Sequence, residues 1–131
     1  KTPLTFDGEN IRACSRALRA ANLSCGDFEH CVRIPKAGDL IYCDPPYIPT
    51  SKTSDFTSYA LEGFKQADQE RLRDFALHAV KAGAHVVLSN SVAASDLYKG
   101  WDIRRVMNGR AVAASGEKRG DVEELLILGG F

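Results

Sequence analysis

Asp39-Leu40-Ile41-Tyr42-Cys43 is an apolar, strand-forming run that stops at Asp44-Pro45-Pro46-Tyr47. Apolar and polar residues do not alternate in it, the pattern of a strand in a sheet covered on both faces. Proline carries no N–H and fixes its own φ, and it pushes the preceding residue toward extended geometry. The corner after the strand is therefore stiff, and the Asp44 carboxylate and Pro45 carbonyl can point outward from it as fixed acceptors. In an open α/β sheet, ligands bind outside the carboxyl ends of the strands. A plain turn after a strand would use the same residue types.

The flanking sequence supplies the rest of an α/β pattern. Asp7 to Ala21 reads as a helix, with Ile11, Ala13-Cys14, Ala17-Leu18 and Ala21 on one face and Asp7 as its N-cap. Leu23 to Phe28 reads as a short strand ending at Asp27-Phe28. Asp68 to Ala82 is the clearest helix: Leu72, Phe75-Ala76 and Ala79-Val80 form its apolar face, and Gly83 is a C-cap candidate. Ala84 to Ser89 reads as a second buried strand ending at Asn90. Ser95 to Tyr98 suggests a short helix, Trp101 to Met107 and Val122 to Leu128 two further strands. Buried strands recurring with helices between them predict a mostly parallel sheet, with an antiparallel pair near the end.

Composition sets outer limits. The chain has 131 residues, enough for one domain that removes roughly two-thirds of its unfolded surface from water. Lys and Arg (17) balance Asp and Glu (17), which argues against nucleic-acid binding by bulk charge but leaves room for a local basic face. No apolar run approaches the ~20 residues of a membrane span, and no leader pattern opens the chain. Cys14, Cys25, Cys31 and Cys43 contain no C-x-x-C pair, so reduced, cytoplasmic cysteines are expected and no metal site. His30, His78 and His85 show no ligand spacing either.

Two acceptors aimed at one point suit an –NH2 group, and Tyr47 can lie flat against a planar ring beside it. An aromatic amine is a poor nucleophile because its lone pair is delocalised. Accepting its two N–H bonds favours a pyramidal nitrogen and places the developing positive charge against preorganised negative groups. Attack by such an amine on an electrophilic carbon is the chemistry this corner fits.

The run Leu40 to Tyr47 resembles the DPPY motif of the Dam-type adenine-specific DNA methyltransferases. Further stretches resemble that family in the same order: Phe56-Thr57-Ser58-Tyr59, Gln69 to Leu72, Val86-Val87-Leu88-Ser89-Asn90, and Gly116-Glu117-Lys118-Arg119 before Val122 to Leu126. The resemblance implies a partial Rossmann-like methyltransferase sheet, mostly parallel, with an antiparallel C-terminal strand. It implies transfer of a methyl group from S-adenosyl-L-methionine to the N6 amine of an adenine flipped out of double-stranded DNA. Asp44, Pro45, Pro46 and Tyr47 would be catalytic, and Asp27, Phe28 and Asp44 would meet the cofactor. Phe56, Tyr59, Lys118 and Arg119 would contact DNA, with Arg104, Arg105 and Arg110 as further phosphate candidates.

The family's upstream F-x-x-x-K segment and glycine-rich cofactor loop have no counterpart in this sequence. The chain therefore reads as a single domain, the C-terminal part of a catalytic domain, with residues 1–22 as the end of a recognition region or a connecting helix. Weak or absent cofactor binding is expected of it alone. Two other readings stay open: a methyltransferase acting on an RNA base amine, and a non-catalytic nucleic-acid-binding remnant. Oligomeric state and recognition sequence are not legible.

Overall fold

The computed structural model describes residues 7–31, 34–50, 63–109 and 121–131. The contacts within the chain fall into two compact units, Lys1–Arg33 and Ile34–Phe131.

The first unit holds α1 (Gly8–Leu18) and the one-turn α2 (Phe28–Cys31). Asp7 caps α1 as expected, accepting from the Asn10 N–H at 3.0 Å. The helix stops three residues short of the expected Ala21. Ala20 and Ala21 donate to Ala17 and Leu18, so the end tightens into i→i+3 bonds before Asn22. The strand expected at Leu23 to Phe28 is a correction: these residues run irregularly into α2. Asp27 is the reason, because its carboxylate accepts from the Glu29 N–H at 3.0 Å and its carbonyl from the His30 N–H. A side chain that caps a helix start competes with a strand ladder.

The second unit is a sheet with one long helix. Its elements are β1 (Leu40–Cys43), α3 (Gln66–Lys81), β2 (His85–Ser91), β3 (Asp102–Gly109) and β4 (Asp121–Gly129). Strand order is β1-β2-β4-β3. β1 and β2 pair in parallel, with Ile41 opposite Val86 and Cys43 opposite Leu88. β4 is antiparallel to both its neighbours. Three strands thus point one way and the C-terminal strand runs against them, a partial Rossmann-like arrangement.

Gln69, Leu72, Ala76 and Ala79 form the buried stripe of α3, at spacings of a single helix face. Small Ala76 and Ala79 let the helix pack closely on Ala84 and Val86, with Ile41, Val80 and Trp101 around them. The helix closes with a Schellman turn: the Ala84 N–H bonds to the Ala79 carbonyl and Gly83 to Val80, with Gly83 at φ +88°. Tyr98 is fully buried and meets Trp101 edge-on, ring centroids 5.7 Å apart. The short helix expected at Ser95 to Tyr98 is instead a 3₁₀ turn at Val92–Ala94 followed by turns.

The expectation that β1 is covered on both faces needs correction. Leu40 and Tyr42 are 68% and 62% exposed, while Ile41 and Cys43 between them are partly buried. Among the described residues β1 is an edge strand with α3 on one face only. Its apolar residues on the other face, which made the run look doubly buried, meet solvent there.

Candidate active site

Asp44 follows β1 directly, and Ser89, Asn90 and Ser91 close β2, so all four stand at the carboxyl end of the parallel pair. The pleat sends Ser89 and Ser91 to one side of the sheet and Asn90 to the other. The segment from Asp44 to Ile48 is held from both sides.

On the side away from α3, the Ser89 hydroxyl donates to Asp44 Oδ1 at 2.7 Å. The Cys43 carbonyl is a second possible acceptor at 3.4 Å, and the Tyr42 phenol donates to Ser89 Oγ at 3.4 Å. Ser89 has one proton, and the shorter, charge-assisted bond to the carboxylate takes it. Asp44 itself is exposed. Among the described residues, its Oδ2 and the Pro45 carbonyl accept no hydrogen bond. Tyr47 is half-buried beside them. Burial pushes its phenol up, with smaller upward pushes from the charges of Glu124 and Asp44 and a partial offset from the neighbouring Ser89. The phenol is therefore neutral at physiological pH.

On the helix side, buried Gln69 donates from Nε2 to the Pro46 carbonyl at 2.7 Å. Asn90, fully buried, donates from Nδ2 to Gln69 Oε1 at 3.1 Å. Asn90 Oδ1 accepts from the backbone N–H of Ile48 at 3.1 Å and of Ser91 at 2.9 Å. From the opposite side of the sheet, Ser91 Oγ donates to the Ile48 carbonyl at 2.6 Å. The Pro46 carbonyl and both main-chain groups of Ile48 are thus held by side chains of α3 and β2, which fixes the corner that carries Asp44 and Pro45.

The structure brings Asp44, Pro45, Pro46 and Tyr47 together with Ser89. Asp27 and Phe28 lie in the first unit, Asp27 capping α2 rather than ending a strand. Phe56, Tyr59, Arg110, Lys118 and Arg119 lie outside the described residues. Arg104 and Arg105, expected as further phosphate candidates, form exposed ion pairs with Asp102 at 3.2 Å and Glu123 at 2.9 Å. Ser89 and Asn90, expected at the end of the second buried strand, lie within β2, which runs on to Ser91. Sequence reasoning gave no role to Gln69 or Ser91. The signal for Gln69 was present: it is the one amide on an otherwise aliphatic helix stripe. Among the described residues no group of three His, Cys, Asp or Glu side chains could hold a metal, and no helix is long and apolar enough to cross a membrane.

A family model described as D12 class N6 adenine-specific DNA methyltransferase matches residues 1–112. The type II methyltransferase M.MjaIII of Methanocaldococcus jannaschii is 40% identical over 98% of this chain and 46% of its own length. The DNA adenine methylase of Vibrio cholerae is 33% identical over 94% of this chain and 46% of its own. The DNA N-6-adenine-methyltransferase of Escherichia phage P1 is 34% identical over 96% of this chain and 17% of its own. The chain spans about half the length of the first two and less of the third.

Proposed function

The chain belongs to the D12 class of N6 adenine-specific DNA methyltransferases, and from that premise we propose that Asp44 and the Pro45 carbonyl grip the N6 amine of an adenine in double-stranded DNA for methylation. One observation carries this reading: Asp44 is exposed at a strand's carboxyl end, with one oxygen pinned by Ser89 and the other unengaged among the described residues. Asp44 Oδ2 accepts one N–H of the amine and the Pro45 carbonyl accepts the other. Both bonds strengthen as positive charge grows on nitrogen, so the transition state gains more than the ground state. Pro46 keeps the corner from relaxing, and Tyr47 stacks on the base.

S-adenosyl-L-methionine is the methyl donor in this reading and supplies an electrophilic sulfonium-bound methyl group when bound. Asp27 and Phe28 fit its adenine by chemistry: a carboxylate to accept from an amino group and an aromatic to cover a ring. A duplex adenine must leave the stack, at a cost of a few kcal/mol. Phe56 and Tyr59 in this reading close over the extruded base, and Lys118 and Arg119 meet phosphates. A DNA substrate sets the site of action in the cytoplasm.

The test is a tritiated-donor assay on the full-length gene product, with duplex DNA and structured RNA offered side by side. Label recovered as N6-methyladenine in the duplex is expected. Label confined to RNA, or DNA binding without label, would overturn the assignment.

A further inference from the structure

We propose that Gln69 and Asn90 form a buried amide clamp that aims the Pro45 carbonyl, a positioning role that rests on the reading above. Gln69 continues the apolar stripe of Leu72, Ala76 and Ala79 and is only 2% exposed; Asn90 is completely buried. An amide in such a place costs stability unless its donors and acceptors are matched. Here they are matched to each other and to the loop. Gln69 Oε1 takes a proton from Asn90, and Gln69 Nε2 and Asn90 Oδ1 each reach the main chain of the loop.

The points they reach bracket Tyr47. Gln69 holds the Pro46 carbonyl and Asn90 holds the Ile48 N–H. Neighbouring carbonyls of an extended or polyproline II segment point to different sides of the chain. Drawing the Pro46 carbonyl toward α3 therefore leaves the Pro45 carbonyl on a different side of the chain and keeps it from rotating. Asn90 also fixes the order of the pair. Because its Oδ1 already accepts from Ile48 and Ser91, its Nδ2 must face Gln69, and Gln69 must then present Nε2 to Pro46. A core that needed only packing would be served as well by two aliphatic side chains.

Three variants of the full-length gene product test this: Gln69→Met, Asn90→Asp and the pair Gln69→Met with Asn90→Leu. Gln69→Met keeps volume and removes the donor. Asn90→Asp keeps shape and the two bonds that Oδ1 accepts but replaces the donor Nδ2 by an acceptor, which turns the Gln69 amide over and sets an oxygen against the Pro46 carbonyl. The double variant removes both amides together, which restores much of the lost melting temperature because neither is stranded. We expect kcat to fall roughly 10- to 100-fold in all three, with KM for DNA and for donor unchanged. Recovery of kcat along with melting temperature in the double variant would overturn the proposal, as would an unchanged kcat in either single one.

A second readout is independent of turnover. The Ile48 amide should exchange with solvent at least about tenfold faster in the double variant while β2 amides keep their protection. Unaltered Ile48 exchange would also overturn the clamp. Failure of the wild-type protein to methylate adenine, with the faster Ile48 exchange still seen in the double variant, would place the failure in the proposed reaction and not in the clamp.

Discussion

Ser89 and Asp44 are 45 residues apart in sequence, and a 2.7 Å hydrogen bond joins Ser89 Oγ to Asp44 Oδ1 across the parallel pair β1 and β2. The bond fixes the carboxylate through a group that is itself part of a central strand and only 4% exposed. Asp44 therefore takes its aim from the sheet rather than from its own loop. The same scaffold, through Gln69, Asn90 and Ser91, holds the residues that follow.

Asp44→Asn should abolish methylation and leave the fold nearly untouched. The side chain is exposed, so stability should change by no more than about 0.5 kcal/mol, as surface substitutions do. The amide exposes a donor where the amine needs an acceptor. Retention of tritium transfer at the wild-type rate by the full-length variant would refute Asp44's role.

Ser89→Ala should separate aim from charge. The carboxylate remains, but nothing pins Oδ1. A fall in kcat of roughly tenfold with KM for DNA unchanged is the expected outcome. The stability loss should be about 1 kcal/mol, the usual worth of one hydrogen bond. Steady-state kinetics beside thermal melting distinguish the two.

Cys43 should be an unreactive thiol. Burial pushes it up to about 11 from its ordinary 9.0, so at pH 8 to 9 the thiolate that reacts with iodoacetamide is scarce. Cys14 and Cys25 are exposed and should be alkylated first, as read by peptide mass spectrometry. The linkage has a definite sign. The folded state holds the Cys43 proton more tightly than the unfolded state, so this contribution is complete below about pH 9 and is lost as pH rises toward 11. Melting temperature should decline across that window, and less steeply in Cys43→Ala.

Gly130→Ala should destabilise the second unit by about 2 kcal/mol or more. Gly130 has φ +81°, and an added Cβ would collide with the Ala84 carbonyl oxygen, which is backbone at the start of β2 and cannot swing aside. Gly100→Ala is the control: its φ is also positive, at +95°, but a Cβ there meets nothing. Denaturant melts of the two variants should rank Gly130→Ala as the more damaging.

The alternation of apolar strands with one strongly amphipathic helix determined the architecture of residues 34–131 in advance. Strand identity, the C-terminal antiparallel strand and the stiff corner at Asp44 to Tyr47 all follow from local rules: periodicity, the geometry of proline, and glycine at the turn after α3. Those rules act within a few residues and are visible wherever they act. The sequence by itself misjudged Asp27, whose capping bonds outcompete a strand, and the cover over Leu40 and Tyr42, because an apolar residue looks the same whether its face is packed or bare. Only the tertiary structure decided that Ser89 holds Asp44 and that Gln69 and Asn90 hold Pro46 and Ile48. Those bonds join residues 21 to 45 positions apart. Their partners are set by the register of β1 on β2 and the seat of α3, and no local pattern of residues records either.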